Sequence, residues 1–172
     1  PLESILDRVY KKIDFPRSSK PPYRSLPDYF HYDRHDVVAF TVVSAGKNLS
    51  EYESELFKQG KYKDYHLIHG LGVELAEALA EIVHKKIRIE LGIAKEEGES
   101  LYDVNWQIRN YQGARYSPGY PACPDLSIND IIFDILKPQE YGITLTENHL
   151  IVPEQSTDAI VVYHPEATYF SV

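Results

Sequence analysis

The longest periodic stretch of the sequence runs from Asp64 to Leu91 and stops at Gly92. Ile68, Leu71, Leu75, Leu79 and Ile82 recur at helical spacing, widened by Ala78, Val83 and Ile87. That pattern predicts one long helix with an apolar stripe facing a core. Glu74, Glu77, Glu81, Lys85 and Arg88 fall on the opposite side, where Glu81 and Lys85 have the spacing of a favourable i,i+4 pair. Lys85, Lys86 and Arg88 read as the wet side of this helix rather than as a nucleic-acid patch.

The rest of the chain must supply what this stripe covers. Val37–Val43 is a β-branched run, apolar almost throughout, and predicts a strand buried on both faces. A turn over Ser44–Asn48 follows. Ser50 and Glu53 then have capping-box spacing for a short helix ending near Gly60. Residues 1–12 carry a short amphipathic pattern on Leu2, Ile5 and Val9 and read as a helix. Residues 14–28 are rich in Pro and Ser and read as an extended loop, with a disordered linker as the alternative.

Beyond the long helix, KEEGES (95–100) reads as an exposed connection. Residues 101–112 read as another helix, with Leu101, Val104 and Ile108 inward. Ser127–Asp130 caps a further helix with Ile128, Ile131, Ile132, Ile135 and Leu136 inside, which Pro138 ends. The tail reads as β: His149–Val152, Asp158–His164 and Thr168–Val172, punctuated by Pro153 and Pro165. Strands and helices mix without regular βαβ alternation. The expected fold is therefore a single α+β domain with a largely antiparallel twisted sheet flanked by helices.

The chain has 172 residues and a net charge of −8. That length suggests one domain, and the acidic balance gives no footprint for nucleic acid. No apolar run approaches a membrane span, and PLESILDRVYKK has neither the basic nor the apolar region of a secretory signal. The one cysteine forms no internal disulfide and fits a reducing, cytoplasmic setting. There is no methionine, and the sequence starts at Pro1, which reads as a processed chain or a domain cut from something larger.

Catalytic motifs are missing. There is no phosphate-binding glycine loop, nucleophile elbow or HExxH pair. His31 with His35 and His66 with His69 have metal-compatible spacing but no clear third ligand. Cys123 stands between Ala122 and Pro124 and reads as a small buried hydrophobe rather than a nucleophile.

One stretch stands apart: Arg115–Asp125, RYSPGYPACPD. Pro118, Pro121 and Pro124 preset the backbone, and Gly119 permits close approach or a positive φ. Arg115 offers a planar fork suited to a carboxylate. Tyr116 and Tyr120 offer flat faces suited to an adenine ring or a cation. These features suit a small ligand with a carboxylate, an aromatic ring and positive charge. They equally suit a rigid structural turn with Arg115 at the surface.

This stretch closely resembles the R-x-x-x-G-Y-P-A-C-P signature of the S-adenosylmethionine (AdoMet) binding activation domain of cobalamin-dependent methionine synthase. It spans Arg115, Gly119, Tyr120, Pro121, Ala122, Cys123 and Pro124. Asn110–Gly113, Leu75–Ala78, Phe15–Arg17 and Leu26–Phe30 resemble other parts of that family in the right order, and His164–Val172 resembles its closing strand. The resemblance implies a repair function: AdoMet is presented for reductive remethylation of cob(II)alamin, with cobalamin carried by a partner domain or protein. It implies two partners, the cobalamin-binding domain and a flavodoxin-type electron donor. It also implies site roles. Arg115 would bind the AdoMet carboxylate. The backbone around Ser117 and Gly119 would hydrogen-bond the ligand, and Tyr120 and Pro121 would shape the pocket. Tyr169 and Phe170 would line it, and Glu77 would meet the cationic end, where a solvated helix face is the plain alternative.

The sequence departs from the family pattern in places. The family domain is about twice as long, so its N-terminal part, with an acidic contact to the AdoMet amino group, and its closing helix are expected to be absent here. Leu126–Asn129 replaces a common H-T-E-K, and Phe170 stands where a second Tyr can occur. Two alternative functions follow: a non-catalytic docking or scaffold module for a cobalamin protein, and a reactivator of another corrinoid methyltransferase.

Overall fold

In the computed structural model, residues 10–94, 97 and 111–172 are described. Three antiparallel strands form the main sheet: β1 (Ala39–Ser44), β2 (Ala114–Tyr116) and β5 (Ser156–Val162), in the order β1-β5-β2. A short hairpin, β3 (Thr144–Leu145) with β4 (Ile151–Val152), stands beside it. The helices are α1 (Lys47–Lys58), α2 (Tyr62–Glu90) and α3 (Ile128–Leu136). The α+β class with antiparallel pairing is as expected.

Register fixes the two faces of the sheet. Phe40 pairs with Ile160, which also pairs with Tyr116, while Ala39 pairs with Val161, which also pairs with Arg115. Side chains alternate along a strand, so Phe40, Val42, Tyr116, Asp158, Ile160 and Val162 share one face. That face meets Ile128 and Ile132 of α3, Leu26, Tyr29 and the Cys123 loop in the main core. The other face, with Thr41, Ala159 and Val161, lies under α2. β5 has partners on both edges and buries every residue from Asp158 to Val162.

The inward face of α2 differs from the expected stripe. Gly72, Ala76, Ala80 and His84 are buried, whereas Leu71 and Leu75 are exposed. Small residues let the helix axis approach its neighbours closely. A Cβ on Gly72 would stand 2.7 Å from both Gln155 Cγ and Leu49 Cδ2. Ile68, Leu79, Ile82, Val83 and Ile87 are half-buried flanks. Lys85 and Arg88, expected on the wet side, are buried because partners await them. Arg88 donates to Glu97 at 2.8 and 2.5 Å, and its guanidinium stacks 3.8 Å from the Tyr111 ring centroid. Lys85 Nζ donates to the Glu97 carbonyl rather than pairing with Glu81. Glu97 is thus a half-buried ion-pair partner, not part of an exposed connection; the rest of 95–100 lies outside the described residues.

Other expectations are corrected as well. The Val37–Val43 run becomes a strand only from Ala39, on one edge of the sheet, and is not buried on both faces. Asp36 holds the preceding residues in a turn by accepting from the Val37 and His31 N–H groups at 2.8 and 3.1 Å. The first short helix begins at Lys47 after Gly46, so Ser50 is inside it and makes no cap. Glu53, expected in the capping box, is instead buried and accepts from Gln155 Nε2 at 2.5 Å. Ser127 precedes α3, but its hydroxyl donates to Asp125 and accepts no capping bond from the helix amides. Ile128 and Ile132 are buried as expected, with Phe133 beside them; Ile135 and Leu136 face outward.

His149 and Leu150 belong to the β3–β4 turn rather than a strand. Thr168–Val172 forms no strand. It is extended chain held by the Tyr116 hydroxyl on the Thr168 carbonyl at 2.8 Å and by the Val172 amide on the Pro121 carbonyl at 3.1 Å. The expected helix over 1–12 lies mostly outside the described residues, and Tyr10–Lys12 are not helical. The same holds for 101–112, where Tyr111 and Gln112 are not helical. Residues 14–28 are the expected loop, ending in a 3-10 turn at Leu26–Tyr29. Among the described residues, no helix is long and apolar enough to cross a membrane.

Candidate functional site

The signature stretch opens as a strand and only then becomes a loop. Arg115 and Tyr116 lie in β2, which pairs with β5 on one edge. Alternation sends their side chains to opposite faces. Arg115 turns toward α2, where Nη2 lies 2.6 Å from Glu81 Oε1 and 3.7 Å from Glu77 Oε2. Glu81 and Arg115 are well covered, whereas Glu77 is about half exposed. The bond to Glu81 is the one hydrogen bond Arg115 makes among the described residues, so Nε and Nη1 retain donors. The Tyr111 hydroxyl donates to the other Glu81 oxygen at 3.3 Å. His84 lies buried beside this group, with its ring edge-to-face on Tyr111. Burial and the nearby Arg88 and Arg115 charges push its pKa down to about 3.

Tyr116 enters the core on the opposite face and is fully buried. Burial pushes its hydroxyl well above the usual tyrosine range. Its ring stacks on Tyr169 at 6.5 Å between centroids, with planes 11° apart, and meets Phe170 at 6.0 Å. Tyr120 and Tyr169 are both more than half exposed, whereas Phe170 packs against the core. The tail is held at this position by its bond to the Pro121 carbonyl. Tyr120, Pro121, Tyr169 and Phe170 therefore form one neighbourhood.

The loop closes on itself. The Gly119 amide donates to the Cys123 carbonyl at 2.8 Å, the Cys123 amide to Tyr120 at 2.8 Å, and the Tyr120 amide to Ser117 at 3.3 Å. Those three N–H groups are spent inside the turn, so the loop supplies rigidity and shape rather than spare amide donors. Gly119 sits at φ +86°, and a Cβ there would stand 2.8 Å from Leu126 Cδ2. The Ser117 hydroxyl donates to the Asp158 carbonyl at 2.6 Å and ties the loop to β5. Cys123 is a buried free thiol, as the sequence suggests, and burial pushes it up to about 12.

Ser117, Gly119 and Tyr120 also line a cavity of about 760 Å³, which Asp158, Asn129 and the β3–β4 hairpin complete. Sequence reasoning missed Asp158, whose burial raises its carboxyl to about 7. The signal was an acid on the core-facing side of the strand STDAIVV, directly before its apolar half AIVV. It also missed Glu81 as the partner of Arg115, because the helical period put both Glu77 and Glu81 on a solvated face. Of the histidine pairs, His69 contacts Gln155 at 3.1 Å and lies 3.5 Å from Glu53. Among the described residues, no group of three or more His, Cys, Asp or Glu is placed to hold a metal ion.

The family model for the vitamin B12 dependent methionine synthase activation domain matches residues 10–172. Methionine synthase of Mycobacterium tuberculosis (strain ATCC 25618 / H37Rv) is 38% identical over 177 residues, covering 95% of this chain and 15% of that protein. Methionine synthase of Mycobacterium leprae (strain TN) is 36% identical over 172 residues, covering 94% of this chain and 14% of that protein. The chain thus spans about 15% of the length of these curated relatives. A crystal structure of the MetH reactivation domain bound to AdoHcy matches with a TM-score of 0.85 at 25% identity. That match covers 98% of this chain and 54% of the solved one.

Proposed function

Because the chain belongs to the vitamin B12 dependent methionine synthase activation-domain family, we propose that it binds AdoMet and presents the methyl group for reactivation of cobalamin. The observation that carries this reading is the Arg115 fork. It is oriented by Glu81, keeps Nε and Nη1 as donors, and stands at the head of a rigid aromatic loop. The AdoHcy bound to the solved MetH reactivation domain supports the same ligand chemistry.

β2 pairs with β5 on one edge, so a ligand lying along its other edge reaches both faces. Arg115 takes the carboxylate there. Glu77, half exposed beside it, faces the cationic end. Gly119, at φ +86° and with Leu126 where a Cβ would stand, holds the Ser117–Gly119 backbone in the turn that meets the ligand. Tyr120, Pro121, Tyr169 and Phe170 give the adenine a flat, preset wall. Bound AdoMet would supply a methyl group already activated on sulfonium; its transfer to cob(II)alamin with one added electron would give methylcobalamin and release S-adenosylhomocysteine. The protein's part is binding and aim, which accounts for a site without a catalytic dyad.

The 172 residues act on this reading as one activation-domain unit in the cytoplasm. The partners are the cobalamin-binding domain, which carries the corrinoid, and a flavodoxin-type electron donor. A second reading, a docking module that does not bind AdoMet, is favoured by one observation. Glu81 already neutralises Arg115, so an incoming carboxylate meets a like charge. Calorimetric titration with AdoMet decides between them. On the first reading the chain binds saturably, and Arg115→Ala weakens binding by about 1.5–3 kcal/mol. A folded chain that takes up no AdoMet refutes it and leaves the docking module.

A further inference from the structure

Tyr111 stands just ahead of β2, and its place is fixed on several sides. Its ring lies against α2, where Glu81, His84 and Arg88 recur at helical spacing on one face. The Arg88 guanidinium stacks on the ring at 3.8 Å, and His84 meets it edge-on at 5.1 Å with planes 87° apart. The two residues that follow tie the chain to the end of β5. Gln112 Nε2 donates to the Tyr163 carbonyl at 2.9 Å. Gly113 lies so close that a Cβ would stand 2.6 Å from the Val162 carbonyl oxygen. With the ring clamped in this way, the hydroxyl donates to Glu81 Oε2 at 3.3 Å. Burial, and then the Glu81 charge, raise the hydroxyl pKa, so it keeps its proton and remains a donor.

That bond limits what Glu81 can do to Arg115. A carboxylate facing a guanidinium readily makes two parallel N–H···O bonds. Here Glu81 makes one, accepting from Nη2 on Oε1 at 2.6 Å, while Tyr111 holds the other oxygen. Both partners are well covered, the side chain of Arg115 at 17% exposure and that of Glu81 at 13%. Arg115 Nε and Nη1 have no described partner, and neither is among the fully covered polar atoms. They stay in contact with solvent, and so within reach of a ligand.

We propose that Tyr111 is a positioning residue for the candidate site. Its hydroxyl holds Glu81 in a one-bond contact, which orients the Arg115 fork without closing it and leaves Nε and Nη1 for a ligand carboxylate. This rests on the reading of Arg115 as the group that receives that carboxylate. Arg115 then serves two carboxylates, because Glu81 with Oε2 occupied takes one of its five N–H groups. Without the Tyr111 hydroxyl, Oε2 turns onto the guanidinium, the pair becomes bidentate, and Glu81 competes with the ligand.

The test is a calorimetric double-mutant cycle on the whole chain: parent, Tyr111→Phe, Glu81→Gln and the double variant, each titrated with AdoMet and with decarboxylated AdoMet. Phenylalanine keeps the ring on Arg88 and His84 and removes the hydroxyl alone. Tyr111→Phe should bind AdoMet about threefold to tenfold more weakly, the scale of one net hydrogen bond, and decarboxylated AdoMet as the parent does. Glutamine has one acceptor oxygen and cannot close both bonds on the fork, so the Tyr111→Phe loss should vanish in the Glu81→Gln background. Tyr111→Phe should also keep the parent's midpoint in urea, because Glu81 gains a second bond to Arg115 in exchange. A loss of folding assigns Tyr111 to the fold and overturns the proposal. So does an equal loss of both ligands, a loss that persists in the Glu81→Gln background, or unaltered AdoMet binding by Tyr111→Phe. In each of these cases a parent that still prefers AdoMet leaves the Arg115 reading standing. A parent that binds both ligands equally, or neither, overturns that reading and the role of Tyr111 with it.

Discussion

Replacing Asp158 with Asn should stabilise the chain at neutral and alkaline pH and do little in acid. The carboxyl is buried on the core face of the central strand, and burial raises its pKa from 3.8 to about 7. The sign follows from proton linkage. The folded state holds the proton more tightly than the unfolded state, so the folded chain is favoured at low pH. That advantage is fully present below about pH 3.8 and is lost as the pH rises through about 7. At ~1.4 kcal/mol per pH unit, ionising this group in the folded chain costs on the order of 4 kcal/mol as a ceiling. Asparagine has nearly the same shape and carries no charge, so the variant escapes the cost. Urea unfolding followed by circular dichroism at a series of pH values from ~5 to ~8.5 measures it. The stability of Asp158→Asn minus that of the parent should rise across this range and flatten above about pH 7. A difference that stays flat with pH would falsify the assignment of a buried, desolvated carboxyl at this position.

Three further outcomes follow from the geometry. Gly113→Ala should destabilise the chain by about 1–3 kcal/mol in the same unfolding assay. Its φ is +92°, and a Cβ would stand 2.6 Å from the Val162 carbonyl oxygen, so parental stability would remove the strain argument. His84→Phe should flatten the acid limb of the stability profile. His84 is held neutral down to about 3, so its contribution is present above pH 6.5 and fades as the pH falls toward 3; an unchanged acid limb contradicts that. Tyr120→Ala should weaken AdoMet binding by about 1–3 kcal/mol, the scale of a lost stacking face. The ring is largely exposed, so unfolding stability should hardly move; a stability loss as large as the binding loss would make Tyr120 a structural residue.

The sequence made some levels of this structure plain and hid others. Element identity was readable wherever periodicity and punctuation agreed, as in α2, ended by Gly92, and in α3, ended by Pro138. The buried face of α2 was not, because hydrophobicity pointed to Leu71 and Leu75 while close packing against neighbouring elements selected Gly72, Ala76 and Ala80. Burial of Lys85 and Arg88 depended on Glu97 and Tyr111, contacts that no local pattern announces. The capping box at Ser50 was misleading for a related reason: Glu53 was reserved for Gln155, far along the chain. At the site, the signature loop and the aromatic tail were legible as motifs. Their meeting depends on the Val172–Pro121 bond and the Tyr116–Tyr169 stack, which are tertiary facts. Asp158 gave a faint signal, a lone acid within a β-branched run.

The central claim is that Arg115 receives the carboxylate of AdoMet. A calorimetric cycle tests it most directly, titrating parent and Arg115→Ala with AdoMet and with decarboxylated AdoMet. The parent should prefer AdoMet by about tenfold or more, and Arg115→Ala should bind both ligands alike. A preference that survives in Arg115→Ala, or a parent that binds both ligands equally, would contradict the account and move the carboxylate contact away from this loop.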